Sequence, residues 1–394
     1  MKKIITLALA LLVVLSFAGC TKKPAKAVTI KVWASAEDQD LTRELADKFI
    51  AAQKGKDITI ELGVVGEPDA YKTFSEDPQA AADVFFFPHD QIRDFVNAGG
   101  LYEITKNKAD IVARNGEGSV SAATVNGKLY AYPATADNGY FMYYDKSVFT
   151  AEDVKTLDKM LEVANAAGKK VFFNLDNNGW YVASFFLGNG GSLAIVNGKQ
   201  TADFNNANGL AAAKAMQAFC ANPAYINGDD NVLKGGIGGT IAAGVSGTWN
   251  AKAIEEVLGA NYAATKLPTA TMDGKQVQLG SFSGYKFVGV NATITDGDKL
   301  AVALDFADFL TNEESQLLRF EKRAFGPSNV KALANPAVKS VALDALTEQN
   351  AFATPQDVLG TYWGPAGAFG TAMVNKDTTD LQTLLDNMVK QIQE

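Results

Sequence analysis

The feature that most constrains the fold of this chain is a regular alternation of strand and helix patterns that begins at Val28. The β-rich run 28–33 is followed by a helix-spaced apolar face with Leu41 and Leu45, and then by a second strand at 58–62. A strand that is followed by a crossover helix normally returns parallel to the first strand. The alternation therefore predicts an α/β fold with mostly parallel sheets that helices cover on both faces.

The length of 394 residues exceeds that of one ordinary hydrophobic core, so we expect more than one folded unit. A polar stretch at 135–139 interrupts the first series, a second series begins at 140–145, and the strand at 286–291 indicates a return to the first unit. These patterns predict two α/β lobes joined by hinge crossovers near 134–138 and 282–286. We assign 28–134 plus 286–335 to the N-lobe, and 135–285 plus 336–394 to the C-lobe.

The first residues have the pattern of a secreted bacterial protein. Lys2 and Lys3 precede an apolar stretch that is short for a membrane span, and Ala18 and Gly19 lead directly to Cys20. These small residues before a cysteine resemble a bacterial lipobox, so we predict a lipoprotein signal peptide over 1–19, lipidation of Cys20 and a tether over 20–27. An ordinary signal peptide with an incidental cysteine is the alternative. The prediction places the mature protein on the extracellular face of the bacterial cytoplasmic membrane, anchored by lipid alone.

A hydrophobic run that stops at a polar elbow marks the first candidate ligand site. Phe85, Phe86 and Phe87 form the run, and His89 and Asp90 lie in the elbow. In α/β folds, binding groups commonly lie at the carboxyl ends of strands. His89 is the only histidine, and neither glycine-serine motif of the chain fits a nucleophile elbow. We therefore interpret His89 as a turn residue and Asp90 as the binding group.

The composition excludes several classes of function. The formal net charge of −8 argues against a nucleic-acid partner, because phosphate binding needs a basic surface. One histidine and two cysteines cannot build the usual metal sites, and the sequence has neither a P-loop nor a complete dinucleotide-binding glycine pattern. We therefore expect no metal and no cofactor, and we interpret Cys220 as a small buried apolar residue.

Three of the four tryptophans follow glycine or polar turns instead of lying in apolar-periodic runs: Trp180, Trp249 and Trp363. A flat aromatic ring complements the C–H face of a pyranose, while neighbouring carboxylates and amides can bond to the sugar hydroxyls. The combination indicates carbohydrate binding. Each tryptophan, taken alone, is equally compatible with a core position.

Four segments resemble those of the maltose/maltodextrin-binding proteins, the extracellular solute-binding components of ABC sugar importers: 82–91, 126–133, 247–249 and 355–363. The resemblance extends over nearly the whole mature chain. It implies a periplasmic-binding-protein-like fold, with two α/β lobes and a ligand cleft between them. It also implies a monomer that is not an enzyme, and that delivers α-1,4-linked glucose oligosaccharides to the permease subunits of an ABC transporter.

The same resemblance implies roles for individual residues. Asp90 matches an aspartate that holds sugar hydroxyls, Asp137 lies where the family has a glutamate near the hinge, and Gln91 replaces an arginine. Phe87 stands where an aromatic residue borders the cleft. The remaining expected contacts are the stacking residues Trp180, Trp249 and Trp363, the amides Asn177 or Asn178 in place of an acid, and the first-lobe acids Glu37 and Asp38.

Two alternatives remain open. The cleft could bind a different oligosaccharide, or the chain could be a glycoside hydrolase, because acids and aromatic residues also line hydrolase clefts. A hydrolase needs two carboxyl groups about 5 to 9.5 Å apart, one of them with a raised pKa. No spacing in the sequence specifies such a pair, so a binding protein is the favoured interpretation.

Overall fold

The computed structural model describes residues 26–394. The predicted signal peptide, Cys20 and most of the tether lie outside the described residues. Within 26–394, no helix combines the length and the apolarity needed to cross a bilayer. The lipid anchor therefore stays a prediction.

The strands of the described range are numbered along the chain. They are β1 (Ala27–Ala34), β2 (Asp57–Val64), β3 (Val84–Pro88), β4 (Thr124–Val125), β5 (Lys128–Leu129), β6 (Tyr132–Thr135), β7 (Phe141–Asp145), β8 (Lys170–Phe172), β9 (Leu193–Val196), β10 (Lys199–Ala202), β11 (Tyr225–Ile226), β12 (Ile241–Ser246), β13 (Tyr262–Thr265), β14 (Thr269–Met272), β15 (Lys275–Gln278), β16 (Ser281–Ser283), β17 (Lys286–Val290) and β18 (Ala353–Pro355).

The α-helices are numbered in the same way. They are α1 (Gln39–Ala52), α2 (Ala70–Glu76), α3 (Ile92–Asn97), α4 (Lys108–Arg114), α5 (Glu117–Ala122), α6 (Leu157–Ala167), α7 (Gly179–Gly188), α8 (Ala207–Ala221), α9 (Asp230–Gly236), α10 (Ala251–Leu258), α11 (Gly297–Leu310), α12 (Glu313–Arg323), α13 (Val330–Leu333), α14 (Val341–Asn350), α15 (Trp363–Val374) and α16 (Leu381–Gln393).

Each lobe is built on one five-stranded sheet. The N-lobe sheet has the order β2-β1-β3-β17-β6, and the C-lobe sheet has the order β11-β8-β12-β7-β13. The predicted α/β class and the two sheet-containing lobes are thus confirmed. All residues of the central strands β3 and β12 are buried, which is typical of strands whose two faces are both covered.

The prediction of mostly parallel sheets is wrong. β1 runs parallel to β2 and β3, and β8 runs parallel to β11 and β12, but the remaining two pairs of each sheet are antiparallel. The parallel strands are connected through helices, as the alternation predicts. In contrast, β6, β7 and β17 begin or end at a passage between the lobes, so the path of the crossover determines their direction.

The two lobes have separate hydrophobic cores. The N-lobe core combines residues from Ile30 to Ala134 with residues from Phe287 to Leu310. The main C-lobe core combines residues from Tyr140 to Phe282 with residues from Val358 to Ile392. Cys220 lies in the C-lobe core, where burial raises the pKa of its thiol to about 12, as expected for an unreactive apolar residue.

Three segments pass between the lobes side by side. The Ala136 amide donates a hydrogen bond to the Gly326 carbonyl at 2.9 Å, and the Asn138 amide donates to the Gly284 carbonyl at 3.2 Å. The segment around Gly326 is not apparent from the sequence patterns. A junction of a few adjacent backbone segments allows one lobe to rotate against the other.

The packing of α15 generates a test of the C-lobe structure. A Cβ atom at Gly370 would lie 2.0 Å from the Leu175 carbonyl oxygen, whereas a Cβ atom at Gly364 would meet nothing within 4 Å. We expect Gly370→Ala to lower the free energy of unfolding by about 1 to 3 kcal/mol, because backbone must move apart. Gly364→Ala, in the same helix, should change it by less than about 0.5 kcal/mol. Urea unfolding of both variants measures the difference, and equal stabilities would contradict the close packing of α15.

Candidate functional site

The elbow after β3 places Asp90 between the two lobes. A single 3-10 turn at His89–Gln91 follows the buried strand, and α3 continues from it. The Asp90 Oδ1 atom accepts a hydrogen bond of 2.7 Å from the Gln356 Nε2 atom. Burial raises the pKa of Asp90 to about 7, although hydrogen bonds from its own backbone amide and from Gln356 oppose the rise. The neighbouring Arg93 does not neutralise this carboxylate, since its guanidinium pairs with Asp357 at 3.0 Å.

Gln356 connects the elbow to the C-lobe. Its Oε1 atom accepts hydrogen bonds from the Trp180 indole nitrogen at 2.9 Å and from the Asn138 side-chain amide at 3.1 Å. A carboxylate of the N-lobe, an indole of the C-lobe and an amide of the first crossover therefore meet at one buried side chain.

The three predicted stacking tryptophans all belong to the C-lobe, and each is partly exposed. Trp180 follows the first residue of α7, and its ring centroid lies 5.8 Å from that of Trp249. The Trp249 indole donates to the Asp230 Oδ2 atom at 2.8 Å. Trp363 begins α15 and packs against Phe282, and its indole also lowers the pKa of Asp90. None of the three lies wholly in the core.

The contact between α7 and α15 explains why Trp180 and Trp363 face the same region. A Cβ atom at Gly179 would lie 2.9 Å from the Ala366 Cβ atom and 3.0 Å from the Trp363 carbonyl oxygen, so only glycine allows this approach. The Tyr362 hydroxyl donates to the Gly179 carbonyl at 2.9 Å and holds the two helix starts together.

A cluster of buried charges lies on the N-lobe side of Trp249. The Lys286 Nζ atom is 2.9 Å from the Glu67 Oε2 atom, and both side chains are almost fully buried. The same ammonium lies 5.7 Å from the ring centroid of Trp249 and 4.8 Å from that of Phe325. Close by, the Arg323 Nε atom is 2.8 Å from the Asp38 Oδ1 atom.

Burial and charge act in opposite directions on these groups. Burial raises the pKa of Asp38, Glu67 raises it further, and Arg323 only partly offsets the rise. Burial alone would lower the pKa of Lys286, but the carboxylates of Glu67 and Asp137 outweigh it and hold the pKa above its usual value. Lys286 therefore stays charged beside the aromatic rings.

Asp137 connects the crossover to the loop that carries Trp249. Its Oδ2 atom accepts hydrogen bonds from the Thr248 hydroxyl at 2.6 Å and from the Gly326 amide at 2.7 Å. Its Oδ1 atom is buried and has no hydrogen-bond partner among the described residues. A sugar contact of Asp137, as the family resemblance implies, would use this second oxygen.

The remaining predicted residues occupy different surroundings. Phe87 is fully buried among Phe85, Phe95 and Phe287, so the prediction that it borders the cleft is wrong: residues 85 and 87 point to the same, inner face of the sheet. Glu37 is exposed, and its carboxylate lies 3.9 Å from the Lys234 Nζ atom of the C-lobe.

Asn177 and Asn178 make structural contacts. The Asn178 side chain accepts from the Tyr181 amide at 3.3 Å and caps the N-terminus of α7. The exposed Asn177 has a left-handed backbone with φ of 49°, and its amide donates to the Thr371 hydroxyl at 3.0 Å. Their expected sugar contacts stay predictions.

Two elbow residues support the turn instead of the cleft. Burial lowers the pKa of His89 to about 4, so its ring, packed near Tyr285 and Phe287, is neutral at physiological pH. Gln91 accepts from the Tyr71 amide at 3.0 Å and donates to the Pro68 carbonyl at 2.6 Å. Gln91 thereby fixes the loop that carries Glu67.

Sequence reasoning did not identify Gln356, Lys286, Glu67 or Arg323 as site residues. Gln356 lies inside segment 355–363, one of the four that resemble the family, and this resemblance could have indicated it. Its partners come from three distant segments, which no local pattern connects. The other three are ordinary charged residues in sequence, and only the meeting of β17, a turn before α2 and the end of α12 makes them a cluster.

The fold and the interlobe site define a two-lobe α/β binding protein. Residues 44–348 match the family described as bacterial extracellular solute-binding protein, and the chain belongs to this family. Membership implies an extracytoplasmic location.

Solved structures share the whole architecture. One, determined with acarbose, is 30% identical, with a TM-score of 0.83, and the alignment covers 93% of this chain and 99% of that chain. A maltodextrin-binding protein from L. casei BL23, solved without ligand, is 26% identical, with a TM-score of 0.75 over 93% and 99% of the two chains. The maltotriose-binding protein of Thermus thermophilus, at 20% identity and a TM-score of 0.79 over 92% and 99%, shares the fold.

The raised pKa of Asp90 predicts a pH-dependent stability. Since the folded protein holds a proton on Asp90 up to about pH 7, and the unfolded chain releases it near pH 4, stability should fall as pH rises through this window. Asp90→Asn removes this titration. We expect the melting temperature of the variant to exceed that of the wild type at pH 8 and the gap to close towards pH 4.5. A gap that stays constant between these pH values would contradict the raised pKa.

The buried Lys286–Glu67 pair predicts strong coupling between two residues. Lys286→Met leaves a buried carboxylate without its cation and should lower the free energy of unfolding by about 3 to 5 kcal/mol. The double variant Lys286→Met/Glu67→Leu should be more stable than the sum of the single variants predicts. A double-mutant cycle in urea measures the coupling, and additive losses would show that the two side chains act independently.

Proposed function

We propose that this protein captures maltooligosaccharides between its two lobes and delivers them to the permease subunits of an ABC importer, without changing them chemically. The observation that carries the proposal is the juxtaposition of Trp180 and Trp249, 5.8 Å apart in one lobe, with the Asp90 carboxylate of the other lobe. Stacking surfaces and a hydroxyl acceptor from opposite lobes are what a clamp for a sugar requires.

The contacts of such a clamp can account for a micromolar affinity. Partly exposed indoles contribute large apolar area with fixed geometry, because an edge-to-face contact with Tyr140 orients Trp180 and a hydrogen bond to Asp230 orients Trp249. Charge-assisted bonds from sugar hydroxyls to a carboxylate add about 1.5 to 3 kcal/mol each. Two stacked rings and a few such bonds suffice for about −8 kcal/mol, which corresponds to micromolar affinity.

Contacts between the lobes support a hinge closure around the ligand. Gln356 joins Asp90 to Trp180, and Glu37 faces Lys234 across the lobes. These contacts must separate when the lobes open at the three adjacent crossovers, so a ligand that adds contacts to both lobes favours the closed arrangement.

The location and partners follow from the same proposal. Lipidation of Cys20 would hold the monomer on the extracellular face of the membrane next to its permease. The similarity to a structure determined with acarbose, at 30% identity, supports an oligosaccharide-like ligand. A hydrolase is the competing function, and the raised pKa of Asp90 is the feature that favours it, since a glycosidase acid needs such a pKa.

The proposal predicts binding without turnover. Tryptophan fluorescence should saturate with maltose, maltotriose and maltotetraose, and Trp180→Ala or Trp249→Ala should weaken binding about tenfold or more by removing a stacking face. Trp33→Phe is the matched control, because Trp33 packs against Phe85 and the N-lobe core and is not among the residues expected to contact the sugar.

The outcomes separate the competing functions. Saturable binding with unchanged sugar after incubation supports the proposal. Release of shorter sugars from maltotetraose by purified protein would establish a hydrolase instead. Absence of any fluorescence or calorimetric response across the maltodextrin series would reject this ligand class and favour a different oligosaccharide.

A further inference from the structure

Gln356 is a buried polar side chain at the junction of the lobes. It follows β18, which pairs in parallel with β16, and its backbone amide donates to the Ser283 carbonyl at 2.8 Å. The residue is 4% exposed. A buried amide must satisfy its polar atoms, and each partner that Gln356 uses belongs to a different segment.

The partners determine the orientation of the amide. An indole N–H can only donate, so the atom that faces Trp180 must be the Gln356 oxygen. With the oxygen held by Trp180, the Gln356 nitrogen faces Asp90 and donates to its Oδ1 atom at 2.7 Å. The Asn138 amide donates to the same oxygen. A flipped amide would lose all three bonds, so the bonds are mutually dependent.

We propose that Gln356 is a positioning residue that links the Asp90 carboxylate of one lobe to the Trp180 indole of the other, so that both ligand contacts are held in register when the cleft is closed. The inference rests on the proposed function in treating Asp90 and Trp180 as ligand contacts. The coupling between these two residues is present in the protein without ligand. Asn138 lies on the first crossover, and its backbone amide is hydrogen-bonded to Gly284 on the second. A rotation at the hinge therefore displaces Asp90 and Trp180 relative to each other.

The charged groups around Asp90 are few. Asp94 lies one helical turn away and raises the pKa of Asp90, whereas Gln356 and Trp363 lower it by hydrogen bonding. Arg93 and Asp357 pair with each other at 3.0 Å at the protein surface. The Gln356 amide is therefore the main partner through which the C-lobe stabilises the ionised form of Asp90.

The substitution Gln356→Glu tests whether the side chain at 356 must donate a hydrogen bond to Asp90. The glutamate side chain has the same shape and still offers Trp180 an acceptor oxygen. It also places a second carboxylate at hydrogen-bonding distance from Asp90. Two carboxyl groups at this distance share one proton, and the loss of that proton moves to higher pH than for a single group. The double variant Gln356→Glu/Asp90→Asn restores a donor opposite the new carboxylate with the polarity reversed.

The first measurement uses the protein without sugar. Intrinsic tryptophan fluorescence is followed from pH 5 to pH 9 in the wild type, Gln356→Glu, the double variant, and Gln79→Glu, which adds the same charge at an exposed position. We expect the apparent pKa of the transition in Gln356→Glu to rise by about one unit or more over the wild type. The transition should disappear in the double variant, and Gln79→Glu should match the wild type.

The second measurement uses calorimetry with maltotriose at pH 6 and pH 8. We expect Gln356→Glu to bind about tenfold or more weakly at pH 8 than at pH 6, and the double variant to lose this pH dependence. A Gln356→Glu protein whose fluorescence titrates like Gln79→Glu would overturn the inference. Failure of the wild type to bind maltotriose, with the fluorescence transitions as expected, would reject the proposed function and leave the coupling intact.

Discussion

The hydrogen bonds of one buried amide, Gln356, are the interaction on which the arrangement of the site depends. A polar side chain that is removed from water must be paired, and here the pairs lie in the N-lobe, in the C-lobe and on a crossover. Asp90 and Trp180 are therefore placed relative to each other by a third residue, and not by direct contact. The same requirement connects the two lobes through side chains as well as through the three backbone segments of the hinge.

The buried charges next to Trp249 must also be paired, and leaving a charge unpaired costs more free energy than leaving an amide unpaired. Lys286, Glu67, Asp38 and Arg323 come from segments that are far apart in sequence, and their charges are tolerated only because each has an opposite partner at 2.8 to 2.9 Å. Hydrophobic packing stabilises the individual lobes, since each core closes within its own lobe. Between the lobes, the Lys286–Glu67 pair lies beside the partly exposed ring of Trp249.

Local patterns predicted the elements well and their partners poorly. The strand predicted at 286–291 is present as Lys286–Val290. The hairpin between β14 and β15 turns at Asp273-Gly274, a dipeptide typical of such turns, and both residues are in the left-handed region that the turn needs. Asn197-Gly198 joins β9 to β10 by the same kind of turn. Phe87 shows the limit: a strand pattern predicts which residues share a face, but whether that face is covered depends on other elements, here α3, from which Phe95 packs against Phe87.

The sequence by itself determined the two α/β lobes, the positions of Trp180, Trp249 and Trp363 after turns, and the elbow that presents Asp90, because strand periodicity, turn residues and family segments are local properties of the chain. Only the tertiary structure decided that the segment at Gly326 lies beside Ala136 at the hinge, that Asn178 caps a helix, and that Gln356 and Lys286 lie at the site. The physical reason is that the role of a buried amide or ammonium group depends on the groups to which it is hydrogen-bonded or ion-paired. The partners of Gln356 lie 176 residues away at Trp180 and 266 residues away at Asp90, and they meet only after both lobes have folded.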